Sequence, residues 1–485
     1  MHQVSRRTLL QALGATLLAA PLMQACGGAA STGPAATAAA QARALATSAQ
    51  SAASSGQPAA TTASQAAAST SQAASSTVSQ ASRVPGQAQV PLSIAVWVNG
   101  TRTWQGTYAQ KWADQNPNVN LSIVKIPYAD IEQKTLVELT ANSLQDVVFT
   151  QCKSLPKLAA NGAYLSLDSF VQQKGDPGVG DFFPAAIANA TLDGKLWGIP
   201  FEINTGNTDI IFYNKDLLDK YGASTPSDTW TYDQYVPIAK KATDAKNRVW
   251  GSDLFPGTYY DFDCYARSNG GEVLSSDGKS FQLASNKACL DAAQWLYDLR
   301  KLDQVAPSRA DSQGLAFPAG QVALHSDGIQ SLIGLKSSIG SKFKWDVVLG
   351  PTAPSGMRGY ELFSSMWAIY SKTKHADLAY QLITYLNSPS TQAATLVDQG
   401  QPPSRVSVWT SQEAASISPI WARIAQWLKD PKDQGPFPMP YNFKYAELEA
   451  KWENVGYALW YGEDAFDTGL QQLQQACQSI VQLPR

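Results

Sequence analysis

Ile94-Ala95-Val96-Trp97-Val98-Asn99-Gly100 and, further on, Asp146-Val147-Val148-Phe149 are the stretches that decide the fold. Each is a short apolar run of β-formers, the first stopped by Asn-Gly. Between them, Trp104, Tyr108 and Trp112 recur every four residues and share one helical face. Asn116-Pro117 stops that helix. Leu121-Ser122-Ile123-Val124-Lys125-Ile126 reads as a second strand broken at Pro127, residues 128–142 as a helix, and Asp146 to Phe149 as a buried strand. Strand and helix in this alternation predict βαβ units and a largely parallel sheet. Ligands of open α/β sheets sit outside the carboxyl ends of the strands. The segments 99–103 and 150–154 leave two such ends and are the first candidates for site-forming backbone.

The alternation continues outward. Gly194-Lys195-Leu196-Trp197-Gly198-Ile199-Pro200 is a turn and short strand, and Ile210-Ile211-Phe212-Tyr213 a strand. Asn214 is placed to cap the helix that follows it. Residues 291–302 read as a helix with Trp295, Leu299 and Leu302 on one face, and Trp345-Asp346-Val347-Val348-Leu349 as a strand before Gly350-Pro351. Leu378, Leu382, Ile383 and Leu386 line another helix. Phe466, Leu470, Leu473, Cys477 and Ile480 stripe the last one, which makes Cys477 core.

The front of the chain has a different character. Ser5-Arg6-Arg7-Thr8-Leu9-Leu10 resembles a twin-arginine export signal, and its apolar run is too short to span a membrane. The run closes at Met23-Gln24-Ala25-Cys26-Gly27, which resembles a lipobox with Cys26 as the lipidated residue. An ordinary cleavage site beside an incidental cysteine is the alternative. Residues 1–25 are thus expected to be a signal peptide. Residues 26–90 are dominated by Ala, Ser, Thr, Gln and Gly, with Arg43 and Arg83 as the only charges, a composition that cannot offset the entropy of ordering and reads as a tether.

The remaining part, about 395 residues, is long enough for two lobes and holds all 14 Trp. A formal net charge of −2 gives no sign of an electrostatic nucleic-acid binder. Cys152, Cys264, Cys289 and Cys477 permit one or two disulfides in an exported protein, or four buried thiols. Their spacing does not match a zinc site, and only His325 and His375 lie in this part, so neither a metal nor a cofactor is expected.

The order of these features resembles extracellular solute-binding protein family 1 of bacterial ABC importers, of maltose-binding-protein-like build. The opening strand and aromatic-striped helix carry the likeness. So do Asp146-Val147-Val148-Phe149 with Leu158-Ala159-Ala160-Asn161-Gly162-Ala163-Tyr164-Leu165, Gly194 to Pro200, and Phe212-Tyr213-Asn214-Lys215-Asp216-Leu217-Leu218. Thr229-Trp230-Thr231-Tyr232, Phe317-Pro318-Ala319-Gly320-Gln321-Val322-Ala323-Leu324 and Lys374-His375-Ala376-Asp377-Leu378-Ala379-Tyr380 complete the series. The resemblance implies an α/β, two-lobed periplasmic-binding-protein-like fold of type II with ligand in the cleft between hinge-linked lobes. The first lobe would hold residues 91–200 plus 365–399, and the second 210–360 plus 401–485. It also implies a monomer, anchored by lipid to the outer face of the cytoplasmic membrane, that hands a small polar solute, a mono- or oligosaccharide, to permease subunits.

Sugar recognition needs flat aromatic faces against C–H surfaces and paired polar groups for hydroxyls. By family position, Trp97, Asn99, Thr101 and Arg102 belong to the first loop, with plain core as the other reading of Trp97. Gln151 and Lys153 follow the third strand, where simple surface exposure is the alternative. Glu202, Asn204 and Asn207 fall in the first crossover, although Glu202 also fits a hinge ion pair. Tyr259, Tyr260, Asp261, Asp327, Trp367 and Arg405 are the candidates from the rest of the chain. Ile329 and Gln330 stand where the family commonly has an aromatic. The rival readings are a secreted glycoside hydrolase, which needs a carboxylate pair about 5–9.5 Å apart, and a tethered scaffold or carbohydrate-binding protein outside transport.

Overall fold

The computed structural model describes residues 88–98, 104–206, 210–428, 436–440 and 442–483. The export signal, Cys26 and the tether lie outside the described residues, as do Asn99, Thr101, Arg102 and Asn207.

Strand β1 (Val90–Val98) is buried almost continuously from Leu92 to Trp97, as a strand covered on both faces must be. It lies between β2 (Val119–Pro127) and β3 (Val147–Gln151), parallel to both, with Val90 opposite Val119 and Ile94 opposite Val147. Helix Trp104–Gln115 makes the first crossover and buries Tyr108 and Trp112, the face that the four-residue spacing predicts. The α-helix of the second crossover is shorter than expected. A 3-10 turn, Tyr128–Asp130, precedes helix Ile131–Thr140, and Asn142 has left-handed φ at 55°. Strands β4 (Thr191–Leu192) and β5 (Lys195–Leu196) form a hairpin whose two turn residues, Asp193 and Gly194, both have positive φ, the requirement of a type I′ turn.

Strand β6 (Ile199–Thr205) is followed by β7 (Ile210–Asn214), which belongs to a second sheet with β8 (Trp250–Ser252), β9 (Val322–Asp327) and β10 (Trp345–Leu349) in the order β10-β7-β9-β8. The chain returns to the first sheet as β11 (Glu361–Ile369), antiparallel to both β3 and β6, and again as the short β12 (Phe437–Pro438). The first sheet therefore includes Thr205, beyond the expected crossover at Pro200, and takes β12 from a stretch the sequence reading gave to the second lobe.

In each sheet most strands share one direction and the strands by which the chain crosses into it are reversed; in the second sheet the reversed β7 lies between β10 and β9, so only the β8–β9 ladder is parallel. β1, β2, β3 and β6 share one direction, against β11 and β12; β8, β9 and β10 share one, against β7. A chain that passes from the carboxyl end of β6 straight into β7 enters the second sheet running the other way. β11 does the same on return. The reversed strands thus mark the crossings.

Local chemistry supports the second sheet. Asn214 Oδ1 accepts the Leu217 N–H at 3.0 Å and caps helix Lys215–Tyr221, as the sequence predicts. Thr231 and Gln234 form a capping box at helix Tyr232–Lys241. β8 lies hard against that helix: a Cβ on Gly251 would meet the Ala239 carbonyl oxygen at 1.9 Å, so only glycine fits. Trp230 and Trp452 are core, each donating its indole N–H to a backbone carbonyl. Cys152, Cys264, Cys289 and Cys477 are buried and form no disulfide among the described residues, which corresponds to the buried-thiol alternative. Among the described residues no helix is long and apolar enough to cross a membrane.

Candidate functional site

The carboxyl ends of β1, β2 and β3 bring together Trp97, Tyr128 and Gln151. The rings of Trp97 and Tyr128 meet edge to face at 5.5 Å, and Phe149 closes on Trp97 from the other side at 6.3 Å. The Trp97 amide donates to Gln105 Oε1 at 3.1 Å, while its indole nitrogen is buried with no hydrogen-bond partner. Gln151 Nε2 donates to the Tyr128 hydroxyl at 2.8 Å. Tyr128 itself is 43% exposed, so its ring is available as a surface.

Glu202 on β6 faces Ser365 on β11 across an antiparallel pair. It is buried, and its Oε1 accepts from Ser365 Oγ at 3.2 Å and from Asn204 Nδ2 at 3.4 Å. The placement is on the crossing strand, as the sequence implies, and these two donors are neutral. Just past β3, Lys153 Nζ lies 3.6 Å from Glu449 Oε2 and over the Tyr445 ring at 5.3 Å. Tyr260 donates to Glu449 Oε1 at 2.8 Å. Burial, then the Glu449 charge, hold the Tyr260 phenol well above its ordinary value, so it remains a donor at neutral pH. Asp261 is buried in the first turn of helix Tyr259–Ser268, where its amide donates to Thr258 Oγ1 at 3.0 Å.

Asp327 ends β9 opposite Ile210, the first residue after the crossing. Its Oδ1 accepts the Gly328 N–H at 2.7 Å, and its Oδ2 is 3.6 Å from His325 Nε2. His325 Nδ1 is 2.5 Å from Asp253 Oδ2, and the imidazole stacks on Phe317 at 4.9 Å. Burial pulls the His325 pKa down, but Asp253 and then Asp327 outweigh it and raise the value to about 10, so the ring is a cation at neutral pH.

Three expectations need correction. Trp367 offers no stacking platform: it is fully buried, stacked on Phe201 at 4.9 Å and edge-on to Phe149 at 6.3 Å. Arg405 does not reach outward either. It is 3% exposed, pairs with Asp181 at 3.3 Å, bonds the Asn387, Pro177 and Gly178 carbonyls, and lies over Phe182. It clamps the 177–182 loop. Tyr259 is likewise fully buried, edge-on to Tyr260 at 5.4 Å.

Tyr128, Tyr445 and Glu449 were not singled out from sequence. Tyr128 was legible, because it immediately follows the carboxyl end of β2, the position where the same rule picks Gln151 and Lys153. Tyr445 and Glu449 stand four residues apart on helix Tyr445–Trp460 and share a face, but nothing local says that this face meets Lys153.

Two sheets between which the chain crosses and returns, with aromatic rings at the strand ends and hydrogen-bonded carboxylates near the crossings, define a two-lobed binding protein. A family model for bacterial extracellular solute-binding proteins matches residues 107–433, and the chain belongs to that family. A putative binding protein of Brucella abortus is 23% identical over 321 residues, covering 64% of this chain and 75% of its own. A probable ABC transporter-binding protein of Deinococcus radiodurans is 23% identical over 255 residues, 50% of this chain and 59% of its own. Among solved structures, the ABC substrate-binding protein Lmo0181 from Listeria monocytogenes, in complex with cycloalternan, superposes with a TM-score of 0.69 at 20% identity, over 81% of this chain and 98% of its own. The sugar-binding protein MalE from Xanthomonas citri gives a TM-score of 0.69 at 20% identity, over 81% and 97%.

Proposed function

We propose that this protein is the carbohydrate-binding component of an ABC importer, which captures an oligosaccharide by lobe closure and delivers it to the permease. The observation that carries the reading is the exposed Tyr128 ring held by Gln151 beside Trp97, near enough to the buried Glu202 carboxylate for its charge to act on the Tyr128 phenol. A ring that stacks on a sugar face and a carboxylate that accepts two hydroxyls are the two elements such a ligand requires. Relatives of the same fold are described with cycloalternan, acarbose and maltose bound, which favours an α-glucoside-like ligand over an amino acid or peptide.

In this reading the site comprises Trp97, Tyr128, Gln151, Lys153, Glu202, Asn204, Tyr260, Asp261, Asp327 and Glu449, joined by Asn99, Thr101, Arg102 and Asn207 from the loops. The lobes are built on the two sheets, with crossings at β6–β7, before β11 and around β12. Closure is driven by the ligand's better affinity for the closed form. Export by a twin-arginine signal and lipidation at Cys26 belong to the same proposal, with residues 26–90 as the tether that lets the lobes reach the permease. Small-angle scattering with maltotriose, acarbose and cycloalternan tests closure. A saturable fall in radius of gyration with one of them supports the reading, and no change under conditions where the sugar is bound contradicts it.

A further inference from the structure

Arg300 ends helix Lys287–Lys301 and is 8% exposed. Of the three other arginines as deeply buried, Arg267 and Arg405 each hold a carboxylate, Asp263 and Glu361 for the first and Asp181 for the second, while Arg358 donates to the Gly350 and Asp228 carbonyls. Arg300 forms no ion pair among the described residues. Its Nε donates to the Pro307 carbonyl at 3.2 Å and its Nη2 to the Leu254 carbonyl at 2.8 Å, while Nη1 has no hydrogen-bond partner. The neighbouring Phe255 and Tyr461 rings lie 5.2 and 5.6 Å from the guanidinium. Asp253 acts on it only from a distance, since its oxygens are engaged by His325 and the Ser326 amide. Burial lowers the Arg300 pKa to about 10, which shows how poorly the charge is compensated. A buried cation with an unused donor and no counterion is costly unless something else supplies the anion.

Arg300 also lines a cavity of about 520 Å3, within the size range of small-molecule sites. Trp250 and Tyr461 give it aromatic walls, and Lys246, Gln304 and Ser308 give it further polar groups. Two carboxylates line it as well, each hydrogen-bonded by neutral donors: Asp244 accepts from Asn247 and Tyr221, and Asp311 from Ser308. Trp250 opens β8 opposite Val322, five residues along β9 from Asp327, or roughly 16 Å of strand. The cavity is therefore separate from the candidate sugar site.

We propose that this cavity is a second ligand site, which takes a small hydroxylated solute bearing a carboxylate or phosphate, with the anion received by Arg300 and the hydroxylated part by the Trp250 and Tyr461 walls. The proposal does not depend on what the cleft binds.

The test uses the full chain in low-salt buffer of fixed ionic strength. D-gluconate and inorganic phosphate are titrated against sorbitol, the uncharged counterpart, with melting temperature and tryptophan fluorescence as readouts. Gluconate, phosphate or both are expected to stabilise the protein where sorbitol does not; which anion does so identifies the headgroup. Lys246→Glu, at an exposed cavity residue, should weaken anion binding severalfold, and Ser308→Trp should block it, while a saccharide-induced shift from the cleft stays unchanged in both. These two surface variants keep the test decisive even if Arg300→Gln fails to fold. The proposal is overturned if neither anion binds at millimolar concentration, if sorbitol binds as well as gluconate, or if both surface variants retain full anion affinity.

Discussion

Replacing His325 with glutamine should remove a stabilisation that depends on pH in a defined direction. In the folded protein His325 lies between Asp253 and Asp327 and titrates near 10, against about 6.5 when unfolded. A raised folded value means that the stabilisation is complete below the unfolded pKa, declines as pH rises from about 6.5, and is gone above about 10. The shift of about 3.5 pH units sets a ceiling near 5 kcal/mol at 1.36 kcal/mol per unit. The side chain is 18% exposed, so water screens part of this, and about 2–3 kcal/mol at pH 6 is the expected size. Roughly half of it should remain at pH 8. For a folded part of this length, 3 kcal/mol corresponds to roughly 4 °C in melting temperature. The assay is the difference in thermal midpoint between wild type and His325→Gln from pH 5.5 to 10.5, which cancels groups common to both. A gap that closes as pH rises supports the charged Asp–His–Asp cluster. A gap that is constant with pH, or widens as pH rises, refutes it.

Further outcomes follow from other parts of the structure. Gly251→Val should destabilise the protein by more than about 3 kcal/mol, or prevent folding, because its Cβ would overlap the Ala239 carbonyl; soluble yield and thermal unfolding check this. Glu202→Gln should weaken saccharide binding by roughly 10- to 100-fold by removing a charged acceptor, with a much smaller change in melting temperature, as read by calorimetry. Tyr128→Ala should cost about 1–2 kcal/mol of binding through lost stacking, while Tyr128→Phe retains most of the affinity.

The succession of strands and helices in the first βαβ units could be read from sequence because it rests on local signals: Asn99-Gly100, Pro117 and Pro127 punctuate runs whose period is unambiguous. The reversal of β7 and β11 could not, since direction depends on where the chain has come from and not on the residues in the strand. Among the site candidates, Gln151 lies at the end of a strand that the sequence marks, whereas Glu202 lies on β6, which runs on through the crossover expected after Pro200. Trp367 misled because an isolated aromatic near a crossing looks the same in sequence whether its face is open or stacked on Phe201. Arg405 misled for a related reason: its carbonyl and carboxylate partners lie more than 200 residues away, at 177–181, or on the preceding helix end at Asn387. Glu449 was missed because its partner Lys153 is equally remote.

The most direct test of the central claim is isothermal titration of the purified chain with maltotriose, acarbose and cycloalternan, followed by analysis of the recovered sugar. The account predicts saturable 1:1 binding of at least one of them, a negative heat-capacity change from burial of the sugar faces, and recovery of the sugar intact. Absence of binding by every saccharide, or recovery of a cleaved one, would contradict it.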